Sequence, residues 1–242
     1  MLRTLMRHPE LKLFAGAYLL YNAGRWLTAG DMDPAVANAE WIVRTEESFG
    51  LAIERSVQDG LQGGVSMWLL SHLYLAAQFV VLPAALIYLY RRAPKVYRPL
   101  RDTVLFTWLI SIPVYAAFPV APPRLAGMGF ADSVSAHGAV SLTGRSSIFY
   151  NELAAVPSLH CGFAVAVGIA LAAAARTPVT KALALLWGPL VCRTVVATGN
   201  HYVFDIAAGL AAALAGYAIG ALVRRPRRAP MGGMLVARAE GA

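Results

Sequence analysis

Six apolar stretches, each about long enough to cross a lipid bilayer as a helix, constrain the fold of this chain more than any other feature. The stretches cover residues 12–29, 64–90, 102–121, 157–175, 180–198 and 202–223. A helix of about 20 mostly apolar residues crosses a bilayer core about 30 Å thick, and it satisfies its own backbone polar groups within lipid. The sequence therefore predicts an all-α, polytopic membrane protein: a six-transmembrane-helix bundle over residues 1–225, followed by a disordered cytoplasmic tail over residues 226–242.

The composition supports the membrane class and argues against a nucleic-acid-binding protein. Of the 242 residues, 58% are hydrophobic and only 14% are charged, which is too apolar for an ordinary soluble domain. The net charge of +8 is a feature of some nucleic-acid-binding proteins. Here the arginines fall in short clusters between the apolar stretches, where membrane orientation signals belong. We therefore expect no nucleic-acid partner.

The positions of the basic residues predict the orientation. A six-span arrangement places the N-terminus and the connections after the second, fourth and sixth stretches on one side. The basic residues there are Arg3, Arg7, Lys12, Arg91, Arg92, Lys95, Arg98, Arg101, Arg176, Lys181, Arg224, Arg225, Arg227 and Arg228. Because basic residues favour the cytoplasmic side, both termini are predicted to be cytoplasmic in a bacterial-type plasma (inner) membrane.

Two segments are predicted to lie on the external side. Residues 31–60 hold seven acidic residues against two arginines, and their apolar spacing suggests an amphipathic helix at the membrane interface. Glu46, Glu47 and Glu54 are expected on its solvated or ion-paired face. Residues 122–156 are rich in Gly, Ser and Ala, and this loop is expected to cover a site. The two cysteines, Cys161 and Cys192, lie within predicted spans, so buried thiols are expected rather than a disulfide framework.

Three polar clusters interrupt the apolar pattern. They are Ala121-Pro122-Pro123-Arg124, Pro157-Ser158-Leu159-His160, and the sequence from Gly199 to Asp205. All three map to the external ends of the third, fourth and sixth predicted spans. Ionisable residues at membrane depth are costly and tend to be functional, so their convergence on one face predicts a shared site.

The histidines in these clusters suggest phosphoester chemistry. His201 and Asp205 are four residues apart and therefore share one face of a helix. Asp205 is expected to bind one imidazole nitrogen of His201 and leave the other free to attack as a nucleophile. A phosphoester leaving group needs a proton donor, and His160 on another helix fits that role.

The residues around the histidines suggest an anion site. Ser158, beside Pro157 in the first turn of a predicted helix, offers a hydroxyl and nearby backbone N–H groups to a phosphate. Arg124 adds a guanidinium that matches phosphate oxygens. Arg193, Asn200 and Tyr202 complete the predicted substrate-binding set. No cofactor and no metal are expected, although a metal site built from the two histidines and Asp205 is a less favoured alternative.

These motifs resemble the type 2 phosphatidic acid phosphatase superfamily, and in particular the branch similar to fungal inositol phosphorylceramide synthase. The resemblance rests on PSLHCG at residues 157–162 and GNHYVFD at residues 199–205, with support from FPVAPPRL at residues 118–125. It implies that His201 forms a phosphohistidine, that Asp205 orients it, and that His160 protonates the leaving group, without a metal.

The sequence departs from the common phosphatase pattern at the phosphate clamp. The pattern has Ser-Arg seven and six residues before the nucleophile, whereas this chain has Thr194 and Val195, with an arginine only at Arg193. The synthase-like branch also tends to lack that arginine. The usual lysine-containing first motif is replaced by the Pro-Pro-Arg124 cluster. Arg25 and Arg145 are further candidates for the clamp.

We therefore expect an enzyme that transfers a phosphate-containing group from a lipid phosphate or phospholipid at the outer membrane face. Water as acceptor gives a lipid phosphatase, and an alcohol acceptor gives a phosphotransferase, for example for inositol phosphate. The alternative from another class is a non-enzymatic lipid transporter or binding protein that uses the histidines as a proton relay. A soluble haloperoxidase is disfavoured because the apolar spans leave no soluble scaffold. No residue indicates the acceptor, the lipid chain or the oligomeric state.

Overall fold

A computed structural model describes residues 9–28, 30–61, 63–137 and 152–225. Residues 226–242, the predicted cytoplasmic tail, and Arg145 lie outside the described residues, as do residues 138–151 of the predicted external loop. The helices are α1 (Pro9–Leu27), α2 (Met32–Ser48), α3 (Glu54–Asp59), α4 (Gly64–Arg92), α5 (Pro94–Ala117), α6 (Ser133–His137), α7 (Leu159–Ala174), α8 (Pro178–Ala197) and α9 (Val203–Arg224). Within the described ranges the only β-pairing is an isolated bridge between Val120 and Ala154.

All six predicted spans correspond to helices, and three of those helices are long and apolar enough to cross a membrane by themselves. These three are α4, α8 and α9. The fourth predicted span, α7, is apolar but has only 16 residues. Both α1 and α5 carry charged residues in their first turns, which lowers their hydropathy. The protein is thus an all-helical membrane protein in its described parts.

The third predicted span begins earlier than its apolar residues suggest. Helix α5 starts at Pro94 and contains Lys95, Arg98 and Arg101, which the sequence analysis assigned to a connection. Proline suits the first helical turn because the N–H it lacks has no partner there. The helix then ends at Ala117, before the extended residues that lead to Arg124. The basic connection between the second and third spans is therefore mostly helical.

The bundle is centred on α9, α7 and α5. Helix α9 packs against both α5 and α7, and α7 packs against α8. Small residues allow the close approach, as is common where helices meet in membranes. A Cβ atom at Gly209 of α9 would overlap the backbone of Ser158, and one at Gly162 of α7 would overlap the Gly209 carbonyl. These glycines bring the start of α7 directly against α9.

The external acidic segment folds into α2 and α3, and part of its predicted solvated face is buried. Helix α2 buries Ala35, Ala39, Ile42 and Glu46. Glu54 of α3 is also buried, so the expectation of a solvated face was wrong for Glu46 and Glu54, whereas Glu47 is exposed as expected. The physical reason is that both buried carboxylates accept hydrogen bonds from the start of α9, which compensates for their loss of water.

Candidate active site

The three polar clusters lie together at one end of the bundle. The turn between α8 and α9 depends on Gly199, whose φ of 69° lies in the left-handed region that favours glycine. A Cβ there would also lie 2.9 Å from the Ala131 carbonyl oxygen. The Gly199 carbonyl accepts a hydrogen bond from the Arg124 N–H at 3.0 Å. This turn therefore joins the segment after α5 to the start of α9.

His201 and Asp205 form a buried pair at the start of α9. His201 Nδ1 lies 3.1 Å from Asp205 Oδ2, and the Asp205 side chain is fully buried. The same oxygen accepts the Tyr202 backbone N–H at 2.9 Å, which holds the carboxylate in place. Because Asp205 occupies the Nδ1 side of the ring, Nε2 is the nitrogen left for chemistry. The two side chains pair as the sequence predicted, but His201 precedes the first residue of α9, Val203, and so does not share a helix face with Asp205.

His160 faces His201 from α7. The centres of the two imidazole rings are 6.1 Å apart, with an angle of 53° between their planes. The His160 ring stacks on Tyr74 of α4, with ring centres 4.1 Å apart and planes at 18°. Its Nε2 atom is buried and has no hydrogen-bond partner among the described residues. Two histidines on different helices thus border the same space.

Ser158 fixes the distance between the two histidine-bearing helices. Its backbone N–H donates to the Asp205 carbonyl at 3.1 Å, and its side-chain oxygen caps α7 by accepting the Cys161 N–H. The residue is fully buried. Its hydroxyl oxygen is therefore engaged in the helix cap, and Ser158 joins the start of α7 to α9 by a backbone hydrogen bond.

Arg124 is a buried cation next to the His201 turn. Its Nε donates to Asn200 Oδ1 at 3.0 Å, and Asn200 Nδ2 in turn donates to the Thr198 hydroxyl and carbonyl oxygens. Arg124 Nη1 lies 3.7 Å from Asp132 Oδ2 and makes no hydrogen bond among the described residues. Arg124 is therefore held by Asn200 and keeps a buried N–H group available for an anion.

Glu152 lies in the electrostatic neighbourhood of Arg124. Burial raises the pKa of the Glu152 carboxyl, Arg124 opposes that increase, and Asp132 adds to it. One of its oxygens is buried and unpaired within the described part of the chain. Arg124 thus lies among two carboxylates that partly balance its charge.

Arg25 approaches the same region from α1. Its guanidinium carbon lies 5.5 Å from the centre of the Tyr21 ring and 5.8 Å from that of Tyr115. Arg25 also interacts electrostatically with His160. Of the two further clamp candidates from the sequence, Arg25 therefore lies near the histidines, and Arg145 is outside the described residues.

Two residues of the predicted substrate-binding set, Tyr202 and Arg193, make contacts or have exposure that differ from those expected of substrate-binding residues. Tyr202 is fully buried and its hydroxyl donates to the Ala121 carbonyl at 3.2 Å, so it braces the segment after α5. Arg193 is exposed on α8, next to the buried Thr194. Thr194 itself donates to the Leu190 carbonyl within α8. The structure does not bring the Arg193 side chain into the cluster of histidines.

The carboxylates that cap α9 were not predicted from the sequence. Glu46 Oε1 accepts the Phe204 N–H at 2.6 Å, and Glu54 Oε1 accepts the Val203 N–H at 2.8 Å. Together with Asp205 they satisfy three of the backbone donors that a helix start leaves unpaired. Acidic residues in the predicted amphipathic segment gave no signal of burial, because the burial depends on contacts with a helix about 150 residues away.

Glu46 and Glu54 interact directly as well as through α9. Burial raises the pKa of Glu46 to about 8, and a side-chain hydrogen bond to Glu54 and the charges of Glu54 and Asp205 add to the effect. The hydrogen bond to Phe204 opposes it. Burial and the neighbouring carboxylates therefore favour the protonated form of Glu46 up to near neutral pH.

The described residues contain no group of three His, Cys, Asp or Glu side chains placed to hold a metal ion. Cys161 is buried, and neither it nor Cys192 forms a disulfide. The features that remain for chemistry are the paired histidines, the carboxylate behind one of them, and the buried arginine beside them.

The helical membrane fold, the two histidines, Asp205 and the buried arginine together define a membrane protein that carries the kinds of residue a phosphoesterase uses. The chain belongs to the PAP2 superfamily, whose family model matches residues 40–219, well over half of the sequence. Searches among curated proteins and among solved structures found no match. Membership of this superfamily supports phosphatase or phosphotransferase activity on phosphate esters. The matched region includes all three polar clusters as well as Glu46 and Glu54.

Proposed function

We propose that the protein is a lipid phosphatase or phosphotransferase that acts through a phosphohistidine on His201. The observation that carries the proposal is the pairing of His201 with Asp205 opposite His160, in a region with a buried arginine. Nucleophile, orienting carboxylate, proton donor and anion-binding group are the parts that transfer of a phosphoryl group without a metal requires.

The first step follows from the positions of the side chains. His201 Nε2 attacks phosphorus while Asp205 holds the Nδ1 proton and stabilises the positive charge that forms on the ring. The bond from phosphorus to the leaving oxygen breaks, and protonated His160 gives that oxygen its proton. The product alcohol departs and a phosphohistidine remains.

The second step reverses the roles. His160, now neutral, takes a proton from the acceptor hydroxyl as the acceptor oxygen attacks phosphorus. The bond to His201 breaks and its Nε2 lone pair is restored. Water as acceptor gives phosphate or a phosphomonoester, and an alcohol gives a new phosphoester. Arg124, Arg25 and the first-turn amides of α7 stabilise the charge on the phosphate oxygens in both steps.

The departure from the common phosphate clamp favours the branch similar to inositol phosphorylceramide synthase, with inositol phosphate as the transferred group. Thr194 occupies the place of the usual serine, and its hydroxyl is bonded within α8. The buried Arg124 beside Asn200 supplies a cation from the segment after α5. We assign the phosphate clamp to Arg124 and Arg25.

The distribution of charge supports a site on the outer face of a bacterial-type inner membrane, with six crossings and cytoplasmic termini. His201 and His160 lie at the starts of α9 and α7, whereas Arg224 lies at the far end of α9 and Arg101 near the start of α5. Helices α7, α8 and α9 alternate in direction, which places the basic ends together on the side opposite to the histidines.

A test separates nucleophile from proton donor. Wild type, His201→Ala, His160→Ala and His72→Ala are purified in detergent and incubated with ³²P-labelled lipid phosphates, with and without inositol or glycerol. His72, a histidine of α4 bonded to Trp68, serves as the matched control. We expect acid-labile, base-stable label on the wild type and none on His201→Ala.

The second arm uses a substrate with a better leaving group. p-Nitrophenyl phosphate needs no proton donor at its leaving oxygen, so His160→Ala is expected to recover a large part of wild-type turnover, while His201→Ala recovers none. Products that form only when the alcohol is present would identify a transferase. Equal turnover by His201→Ala, or transport of lipid without any covalent label, would overturn the proposal and favour the non-enzymatic alternative.

A further inference from the structure

The backbone that carries His201 lies just before a helix rather than within one. His201 and Tyr202 precede Val203, the first residue of α9. On the α8 side, the His201 N–H donates to the Val195 carbonyl at 3.2 Å. On the α9 side, the Tyr202 N–H donates to Asp205 at 2.9 Å. The position of His201 therefore also depends on what holds the first N–H groups of α9, which have no acceptor within that helix.

The two N–H groups that begin α9 donate to carboxylates of α2 and α3. The Val203 N–H donates to Glu54 Oε1 at 2.8 Å, and the Phe204 N–H donates to Glu46 Oε1 at 2.6 Å. Only 3% of Glu46 and 4% of Glu54 is exposed, so bulk water does not compete for these hydrogen bonds. The acidic segment that contains α2 and α3 thus holds the residues that directly follow the His201 turn.

The neighbouring helices α7 and α8 are capped in a different way. Their starts are capped by the hydroxyl groups of Ser158 and Thr177, each of which directly precedes its own helix. Burying a carboxylate costs more free energy than burying a hydroxyl. A local hydroxyl satisfies a helix donor, but it does not fix the helix relative to another element. The two glutamates do both, because they join the start of α9 to α2 and α3.

Helix α2 also packs on the side chains that follow His201. Tyr202 is fully buried in the same apolar cluster as Ile42 of α2. Trp41 of α2 meets Phe204 edge to face, with ring centres 5.8 Å apart and planes at 87°. The hydrogen bond from the Phe204 N–H and these apolar contacts therefore act on the same short stretch of backbone. A shift of α2 would move the residues next to His201.

We propose that Glu46 and Glu54 are positioning residues for the nucleophile, which they hold in place through the backbone N–H groups of Val203 and Phe204. The inference rests on the proposed function, in which His201 attacks phosphorus. Neither glutamate touches the substrate. Loss of either hydrogen bond lets the turn before α9 shift, and a displacement of about 1 Å can slow a reaction roughly a hundredfold. The acidic segment is therefore part of the machinery that aims the nucleophile.

The test compares variants that remove the acceptor oxygen with variants that keep it. Glu46→Ala and Glu54→Ala remove it, whereas Glu46→Gln and Glu54→Gln keep an amide oxygen that accepts the same N–H. Glu47→Ala, at an exposed position of α2, is the matched control. Leu89→Ala removes a buried side chain in the last turn of α4 and controls for a general loss of stability. It lies about 22 Å along α4 from Tyr74, which stacks on His160.

The first readout is the rate at which ³²P label forms on the protein in a single turnover at saturating lipid phosphate, together with KM. We expect the two alanine variants to form label about ten to a hundred times more slowly than the wild type, with KM within about threefold. The two glutamine variants, Glu47→Ala and Leu89→Ala should stay within about threefold of the wild-type rate.

Three results would overturn the inference while the labelled wild type leaves the proposed function intact. The first is a wild-type rate in both alanine variants. The second is an equal loss in the glutamine variants, since the hydrogen bonds would then not be the cause. The third is an equal loss in Leu89→Ala, since the rate would then follow stability alone.

The second readout needs no turnover. Hydrogen–deuterium exchange is followed by mass spectrometry on a peptide that begins before His201 and includes Val203 and Phe204. We expect exchange in this peptide to be at least about tenfold faster in Glu46→Ala and Glu54→Ala, and unchanged in Glu47→Ala. Unchanged exchange in the alanine variants would overturn the inference even in an inactive preparation. Faster exchange without any label on the wild type would instead overturn the proposed function, and with it the catalytic role of the two glutamates.

Discussion

The buried carboxyl group of Glu46, next to Glu54, is expected to make the fold sensitive to rising pH. Burial and the neighbouring carboxylates raise the pKa of Glu46 from 4.5 to about 8. Between these two values the folded protein holds a proton that the unfolded chain has released. Stability falls with pH wherever the folded state binds more protons. The contribution is therefore favourable below the lower value and is lost as pH rises through the higher one.

The size of the effect follows from the same shift. Each pH unit inside the window changes the free energy of unfolding by at most about 1.4 kcal/mol. From pH 6 to pH 8 we therefore expect a loss of about 1–3 kcal/mol. For a chain of this length, each kcal/mol lowers the unfolding temperature by about 2–4 °C. The unfolding temperature should fall by roughly 2–12 °C over this interval.

Glu46→Gln isolates this proton from every other titrating group. The amide keeps an oxygen that accepts the Phe204 N–H and gains an N–H that donates to Glu54, so it copies the protonated form. We expect its unfolding temperature to vary between pH 6 and pH 8 by several degrees less than that of the wild type. Glu47→Gln, an exposed neighbour on the same helix, should keep the wild-type fall.

The assay follows the intrinsic tryptophan fluorescence of the purified protein in a neutral detergent during heating. The measurement is repeated at half-unit intervals from pH 5.5 to pH 8.5. A flat wild-type profile between pH 6 and pH 8 would refute the reasoning. So would an equal fall in Glu46→Gln, because the responsible group would then lie elsewhere.

Three further predictions concern packing and the phosphate clamp. Gly209→Ala forces a Cβ into the Ser158 backbone and should lower the free energy of unfolding by about 1–3 kcal/mol through overpacking. Thermal unfolding measures this loss, with Gly16→Ala as a control at an open position, and equal unfolding temperatures for the two variants would contradict the prediction. Arg124→Ala should raise KM for a lipid phosphate by about ten- to a hundredfold, because a charge-assisted hydrogen bond contributes about 1.5–3 kcal/mol. Arg193→Ala should leave KM within about twofold of the wild-type value. Steady-state kinetics in which the two effects were reversed would refute the assignment. Arg25→Gln should lower kcat/KM at least tenfold, and Arg25→Lys should keep part of the activity that Arg25→Gln loses. Wild-type kinetics in Arg25→Gln would remove Arg25 from the clamp.

The apolar pattern predicted where the helices lie, and the helical repeat predicted one side-chain pair. Residues 202–223 were predicted as a span and form Val203–Arg224, because an unbroken apolar run has few alternatives in lipid. The pairing of His201 with Asp205 was predicted from their spacing of four residues, although it forms across the start of α9, with His201 before the first helical residue. Both results depend on local sequence alone.

The contacts that depend on distant parts of the chain were not predictable in the same way. Glu46 and Glu54 have the composition of an exposed acidic segment, and only the packing of α2 and α3 on the start of α9 buries them. Arg193 lies shortly before the cluster from Gly199 to Asp205 in sequence, but the rotation of α8 buries Thr194 and exposes Arg193. The face that a helix presents to a site is set by its neighbours, which an apolar run does not specify.

The carboxylates at the start of α9 have a consequence for how a phosphate is held. A helix start normally attracts anions, because its unpaired N–H groups carry partial positive charge. On α9 these donors are already taken by Asp205, Glu54 and Glu46. Under the proposed mechanism, a phosphate bound at His201 receives its compensating charge from other elements, namely Arg124 after α5, Arg25 on α1 and the first-turn amides of α7. The proposed clamp and the proposed nucleophile thus come from different parts of the chain, so the mechanism requires the correct relative placement of α1, α5, α7 and α9.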